Sequence, residues 1–185
     1  MKLLQLAKLD SPLGELLLWA EDDALVGLEF TDAVTRVGRL RARLEQAMGP
    51  FEAVPASDPA GAVNRLKRYF AGELRALEDQ KVLTRGTAFE ERVWAALRTI
   101  PTGEVRSYGQ IAVALGAPGA SRAIGAANGR NPVALFVPCH RVIAGDGSLH
   151  GYGGGLERKR WLLHHEGVSA VTSPPSRQLG LKLQG

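Results

Sequence analysis

The chain has 185 residues, a formal net charge of +4, 45% hydrophobic and 23% charged residues, and a single cysteine. That apolar fraction is enough for a sizeable core and excludes wholesale disorder, and no apolar run approaches the ~18 residues of a membrane-spanning helix. One cysteine cannot form an internal disulfide, which points to a reducing, cytoplasmic setting, and the first 138 residues contain neither Cys nor His with which to build a zinc cluster.

Lys2, Gln5, Lys8 and Asp10 interrupt the N-terminal apolar run too often for a signal peptide. Leu3–Leu9 and Glu15–Ala20, joined by Ser11-Pro12-Leu13-Gly14, read as two antiparallel strands, and Leu25–Phe30 as a third after the polar Glu21-Asp22-Asp23. Thr31 or Asp32 is placed to cap a helix running to Met48, which Gly49-Pro50 stops. Pro59–Phe70 reads as a second helix with Val63, Leu66 and Phe70 on one stripe. Nothing in this half is reactive. A composition change near Lys81–Gly86 marks a boundary, so residues 1–80 are expected to form a scaffold domain and 81–170 a second domain. Ser173-Pro174-Pro175-Ser176 marks 171–185 as a flexible tail.

Thr87-Ala88-Phe89-Glu90 is a capping box opening a helix whose Phe89, Val93, Leu97 and Ile100 share one face, ended by Pro101, with Trp94 beside them as core. Ser107-Tyr108-Gly109-Gln110 is a second capping box, opening a helix that runs to Gly116. After the turn Ala117-Pro118-Gly119-Ala120, Ser121 is expected to cap a further short helix over Arg122–Asn128. Two short helices around a Gly-containing turn describe a helix-turn-helix. Its second helix, Arg122-Ala123-Ile124-Gly125-Ala126-Ala127-Asn128, has almost no side chain able to read base edges. Its small residues permit either close approach to a nucleic-acid groove or a tight helix–helix contact. Val133–Val137 reads as a short buried strand or extended segment, Gly151-Tyr152-Gly153-Gly154-Gly155 as a loop, and Leu156–Glu166 as a last helix stopped by Gly167.

Charge follows this division. Residues 1–85 hold 12 Lys/Arg against 13 Asp/Glu, whereas Arg98–Arg141 contains five arginines and a single acid, Glu104. A basic patch on an otherwise balanced chain suits a polyanion.

The chemistry centres on Pro138-Cys139-His140-Arg141-Val142. An isolated cysteine is most often a small buried hydrophobe. Here His140 and Arg141 flank it, and basic neighbours stabilise the thiolate, the reactive form. Adjacent residues of an extended segment point to opposite sides, so Cys139 and His140 need a local turn or a bridging water to communicate.

These residues resemble the O6-alkylguanine-DNA alkyltransferase (methylated-DNA–protein-cysteine methyltransferase) family. The likeness is carried by Pro-Cys-His-Arg-Val and by Ile100-Pro101-x-Gly103-x-Val105-x-x-Tyr108-Gly109. Arg122-Ala123-Ile124-Gly125-x-Ala127-x-x-x-Asn131-Pro132, Tyr152-x-Gly154-Gly155-Leu156 and Leu162-Leu163-x-x-Glu166-Gly167 continue it. It covers residues 87–167 clearly and the N-terminal half in outline. The resemblance implies an α/β (α+β) fold: a small ribonuclease-H-like α/β domain followed by a mostly helical domain with the helix-turn-helix. It also implies transfer of an alkyl group from O6-alkylguanine in DNA (O4-alkylthymine being a further candidate substrate) to Cys139, once per molecule, with no cofactor and no metal.

The roles carried over are His140 as base through a water, Glu166 as its orienting partner, Asn131 as a hinge, and Tyr108 as proton donor to the leaving guanine. Arg122 would enter the base stack, with Ser107, Ala123, Gly125, Ala126 and Ala127 at the DNA. Val142, Tyr152, Gly153 and Ala134 would line the guanine pocket. The expected partner is double-stranded DNA entered through the minor groove by a monomer, cooperative binding being one option, with no membrane. Some members carry serine where this chain has Gly153 and proline where it has Ala134, so bulky benzyl substituents should stack less well here. A non-catalytic, damage-binding alkyltransferase-like protein is the main alternative; such proteins carry tryptophan in place of the nucleophile, and Cys139 argues against that class.

Overall fold

The computed structural model describes residues 1–169, and the tail expected at 171–185 lies outside them. The chain is mixed α/β and divides into two compact units. Residues 1–85 with 132–136 form the first, and 86–131 with 137–169 the second.

In the first unit β1 (Lys2–Ser11), β2 (Gly14–Glu21) and β3 (Ala24–Phe30) form the antiparallel meander, with Gly14 at φ 103° in the first turn. A fourth strand, β4 (Phe51–Pro55), was not expected from the sequence. It lies parallel to β1 and gives the order β3-β2-β1-β4. Its five residues show no clean alternation and follow a helix stop, so only pairing with β1 makes them a strand.

The helix α1 (Val34–Met48) crosses over the sheet and packs Leu40 and Leu44 on Leu4, Leu17, Trp19, Val26 and Phe51. Burying each such leucine stabilises the unit by roughly 1.5–3 kcal/mol. Close approach of α1 depends on Gly27, where an added Cβ would lie 3.1 Å from Leu40 and 3.2 Å from Trp19. The expected Thr31/Asp32 cap is corrected: Ala33 occupies the N-cap and no side chain caps the helix. Arg36 instead donates from Nε to buried Glu29 at 2.8 Å. The second helix begins as a 3-10 turn at Pro59–Gly61 and continues as α2 (Ala62–Phe70), which buries Tyr69 where the sequence pattern suggested Phe70.

Of the two readings of 133–137, the strand is corrected. Val133 makes one isolated bridge to Leu28, and Leu135 has φ 71°, which a continuing strand does not allow. The segment is nevertheless fully buried, consistent with its apolar composition.

The second unit is helical: α3 (Ala88–Arg98), α4 (Tyr108–Ala114), α5 (Ser121–Gly129) and α6 (Leu156–His165). Both capping boxes form. Glu90 N–H donates to Thr87 Oγ1 (3.2 Å) while Thr87 N–H donates to Glu90 Oε2 (2.9 Å). Gln110 N–H donates to Ser107 Oγ (3.1 Å) and Ser107 N–H to Gln110 Oε1 (2.8 Å). The expected Ser121 cap does not form; Ala120 is the N-cap and Ser121 the first helical residue.

Trp94 fixes the helix-turn-helix to α3. It is 1% exposed, and its Nε1–H donates to the Ala127 carbonyl at 2.9 Å. Beside it, Arg92 Nη2 donates to the Leu115 carbonyl at the end of α4, and Arg130 Nε donates to Glu90 Oε1. Finally β5 (Arg106–Ser107) pairs in parallel with β6 (Val142–Ile143), setting the start of α4 beside the residues that follow Cys139.

Candidate active site

Cys139, His140 and Arg141 form a single 3-10 turn after Pro138, closed by the Arg141 N–H donating to the Pro138 carbonyl at 3.0 Å. The turn replaces the extended geometry that would have aimed Cys139 and His140 apart. Cys139 is 5% exposed and His140 is fully buried.

The His140 imidazole meets Glu166, the residue capping α6, at 2.9 Å between Nε2 and Oε1. Arg141 grips the same carboxylate through Nε (2.8 Å) and Nη2 (2.9 Å), and is itself held by the Ile100 carbonyl (2.7 Å) and Thr102 Oγ1 (3.2 Å). Burial opposes ionisation of Glu166, but the imidazole and the paired Arg141 guanidinium outweigh it and hold the carboxyl well below the usual carboxylate range. Burial dominates at His140 and lowers its pKa below the ordinary value despite the carboxylate, so the ring is neutral at pH 7.

An ionised carboxylate only accepts hydrogen bonds. Nε2 must therefore carry the ring proton, which leaves Nδ1 as an unprotonated acceptor. Nδ1 is buried with no hydrogen-bond partner among the described residues. A neutral imidazole with one nitrogen committed to a carboxylate and the other open is a poised base.

Two asparagines fasten the turn. Asn131 Nδ2 donates to the Val137 carbonyl at 2.8 Å, two residues before the cysteine, and Asn128 Nδ2 approaches the Cys139 carbonyl at 3.5 Å. Tyr108 is half-buried at the start of α4 and donates to the His150 carbonyl at 3.3 Å; burial, then the charge of Cys139, raises its pKa. Tyr152 is half-buried and Gly153 exposed, both in the loop before α6, whereas the Val142 side chain is fully buried. Ala134 is buried within the segment that belongs to the first unit. A surface groove of about 230 Å³, lined by Ala96, Thr99, Ile100, Arg106, Gln110, Ile111 and Ala114, has none of Cys139, His140, Glu166, Tyr108 and Tyr152 in its lining.

On α5, Arg122, Ala123 and Ala126 are exposed and Gly125 is partly so. Ala127 is corrected: it is fully buried, and Trp94 takes its carbonyl, so it faces α3 rather than open surface. The small residues of this helix thus serve both readings left open by the sequence, one face packing and the other bare. The Ser107 hydroxyl is occupied as the α4 cap.

Sequence reasoning did not single out Arg141 as the clamp on Glu166, Asn128, whose amide approaches the Cys139 carbonyl, or Lys159, which is fully buried in α6. Arg141 had a signal, its place beside the nucleophile. Lys159 sits in Arg158-Lys159-Arg160, a run that reads as a solvated basic face.

A mixed α/β scaffold unit, joined in one chain to a helical unit holding a helix-turn-helix and a buried His-Glu pair next in sequence to the one cysteine, defines the class: a nucleic-acid-directed protein with a cysteine as its candidate nucleophile. Residues 88–168 match the model of the 6-O-methylguanine DNA methyltransferase DNA-binding domain, and residues 5–82 that of the ribonuclease-like domain of the same family. The chain belongs to the 6-O-methylguanine DNA methyltransferase family. It is 45% identical over 166 residues to the methylated-DNA–protein-cysteine methyltransferase of Salmonella typhimurium, covering 86% of this chain and 94% of that protein. It is 49% identical over 161 residues to the protein of that name from Mycobacterium bovis, covering 85% and 89%. Among solved structures, Mycobacterium tuberculosis OGT in complex with DNA superposes with a TM-score of 0.75 at 44% identity, covering 93% of this chain and 95% of that one.

Proposed function

We propose that this protein repairs alkylated DNA by moving the alkyl group of O6-alkylguanine onto Cys139, irreversibly and once per molecule. The carrying observation is the buried His140 imidazole next in sequence to Cys139, its Nε2–H committed to an ionised Glu166 and its Nδ1 without a hydrogen-bond partner among the described residues. A water between Nδ1 and Sγ relays the thiol proton to His140. The thiolate then attacks the alkyl carbon in line: the S–C bond forms, the C–O bond breaks, and the electron pair leaves with guanine O6. Tyr108 donates a proton to the departing base, and transfer from His140 through solvent restores the neutral site. The product is a thioether, which water does not hydrolyse, so the protein is consumed.

The target carbon is inaccessible inside a duplex, so the nucleotide must be rotated out, which costs less for a lesion that pairs poorly. The bare Ala/Gly face of α5 suits close entry to the minor groove without base readout, with Arg122 filling the vacated stack. Asn131 keeps the turn of Cys139 in register with α5, and Tyr152, Gly153 and the Val142 backbone shape the base pocket. The protein acts as a monomer in the cytoplasm. Intact-protein mass spectrometry after mixing with a duplex containing O6-methylguanine tests this: one added methyl, located on Cys139 and abolished by Cys139→Ala, is expected. A wild-type chain that gains no mass refutes it.

A further inference from the structure

Lys159 is fully buried in α6, and lysine is rarely sealed in without a paired charge. No carboxylate pairs with it among the described residues. Nζ donates instead to two carbonyls, Val142 in β6 at 2.5 Å and His150 in the loop before α6 at 3.0 Å. The His150 carbonyl is also the acceptor for the Tyr108 hydroxyl at 3.3 Å. One ammonium therefore joins the strand following the nucleophile, the loop leading to Tyr152 and Gly153, and, through a shared oxygen, the start of α4. Two neutral carbonyls compensate a buried cation only in part.

We propose that Lys159 is a positioning residue for alkyl transfer: its ammonium fixes the pocket loop and the Tyr108 hydroxyl, and its charge favours the ionised form of Cys139. This rests on the repair reading above and deepens it. Burial pushes Lys159 down to about 8, while the charge of Cys139 pulls it up. An interaction between two charges is shared, so the thiolate gains what the ammonium gains. The other groups around the thiol leave this role open. Arg141 is spent on Glu166, Ile100 and Thr102. Glu166 is matched by Arg141, His140 is neutral, and the Tyr108 hydroxyl is uncharged at pH 7. The loop's own titratable side chains, Asp146 and His150, are solvent-exposed and screened.

The test is the pH profile of S-alkylation of Cys139 by iodoacetamide, without DNA, in the full-length wild type, K159M, K159Q and K159R. Near-UV circular dichroism on the same samples establishes folding. The neutral variants are expected to raise the profile's midpoint by about one unit, slowing alkylation at neutral pH roughly tenfold, while K159R keeps the wild-type midpoint. A folded K159M or K159Q with the wild-type midpoint overturns the proposal. Should neither neutral variant fold, the wild type decides, through the 13Cε titration of Lys159 before and after Cys139 is alkylated. A lower lysine midpoint after alkylation supports the coupling, and an unchanged one overturns it. Methyl uptake from a methylated duplex is measured alongside. If the wild type takes no methyl, the repair reading falls and this inference with it; if it does and the lysine variants titrate normally, only this inference falls.

Discussion

Replacing Glu166 by glutamine keeps the shape of the side chain and removes its charge. In the native site the carboxylate, wholly buried, accepts from His140 Nε2 and twice from Arg141, three charge-assisted or polar contacts between 2.8 and 2.9 Å. A glutamine amide must turn its NH2 toward either the imidazole N–H or the guanidinium, so one donor faces another. Arg141 also keeps its charge with no anion beside it. Breaking a buried pair by removing one partner costs about 3–5 kcal/mol. For a chain of this size that corresponds to a melting temperature lower by roughly 6–20 °C.

The pH dependence follows from the same carboxylate. Its folded pKa is depressed, so its contribution is complete above the unfolded value of about 4.3 and is lost as pH falls toward the folded one. The stability gap between wild type and E166Q, read from urea melts, should be widest near pH 7 and narrow steadily below about pH 5. The reasoning is refuted by an E166Q variant within about 1 kcal/mol of wild type at pH 7, or by a gap that does not change with acid.

Other expectations are narrower. Alkylated Cys139 carries extra volume in a site where the residue is 5% exposed, and overpacking of about 1–3 kcal/mol should lower the melting temperature after reaction; an unchanged or higher value speaks against this packing account. Gly86→Ala would place a Cβ 2.3 Å from the Trp94 ring and should be more damaging than Gly27→Ala, whose closest contact is 3.1 Å, as thermal melts of both variants will show. Trp94→Phe removes the hydrogen bond that anchors α5 through the Ala127 carbonyl; a loss of about 1 kcal/mol together with weaker duplex binding is expected, and unchanged binding by fluorescence anisotropy would exclude the anchoring role. With alanine at 134, where some family members carry proline, inactivation by O6-benzylguanine should be slower than in a proline-bearing relative, and equal rates would reject that expectation.

What a reciprocal pair settles within one turn was legible in the sequence, whereas the single-residue caps expected at Thr31 or Asp32 and at Ser121 did not form. Both capping boxes form because each reciprocal pair closes within one turn. The short helices of the helix-turn-helix end where Gly116 and the Ala117–Ala120 turn require, and Trp94 is core. Cys139 as the candidate nucleophile, too, could be singled out from the chain alone.

Tertiary structure decided the rest, because burial and charge compensation depend on groups far apart in sequence. β4 is a strand only because β1 offers it a parallel edge, and residues 133–137 fail to be one because Leu135 turns the backbone where no ladder continues. Which nitrogen of the neutral His140 ring is open was legible only once Glu166, 26 residues away, was seen against Nε2. Lys159 shows the limit most plainly. In the Arg-Lys-Arg run its side chain looks bound for water, yet the fold closes over it, and carbonyls nine and 17 residues away become its only hydrogen-bond acceptors among the described residues. Sequence periodicity reports which face of a helix is apolar; it carries no information on which cation a fold will desolvate, since that energy is set by partners that only the folded chain brings within reach.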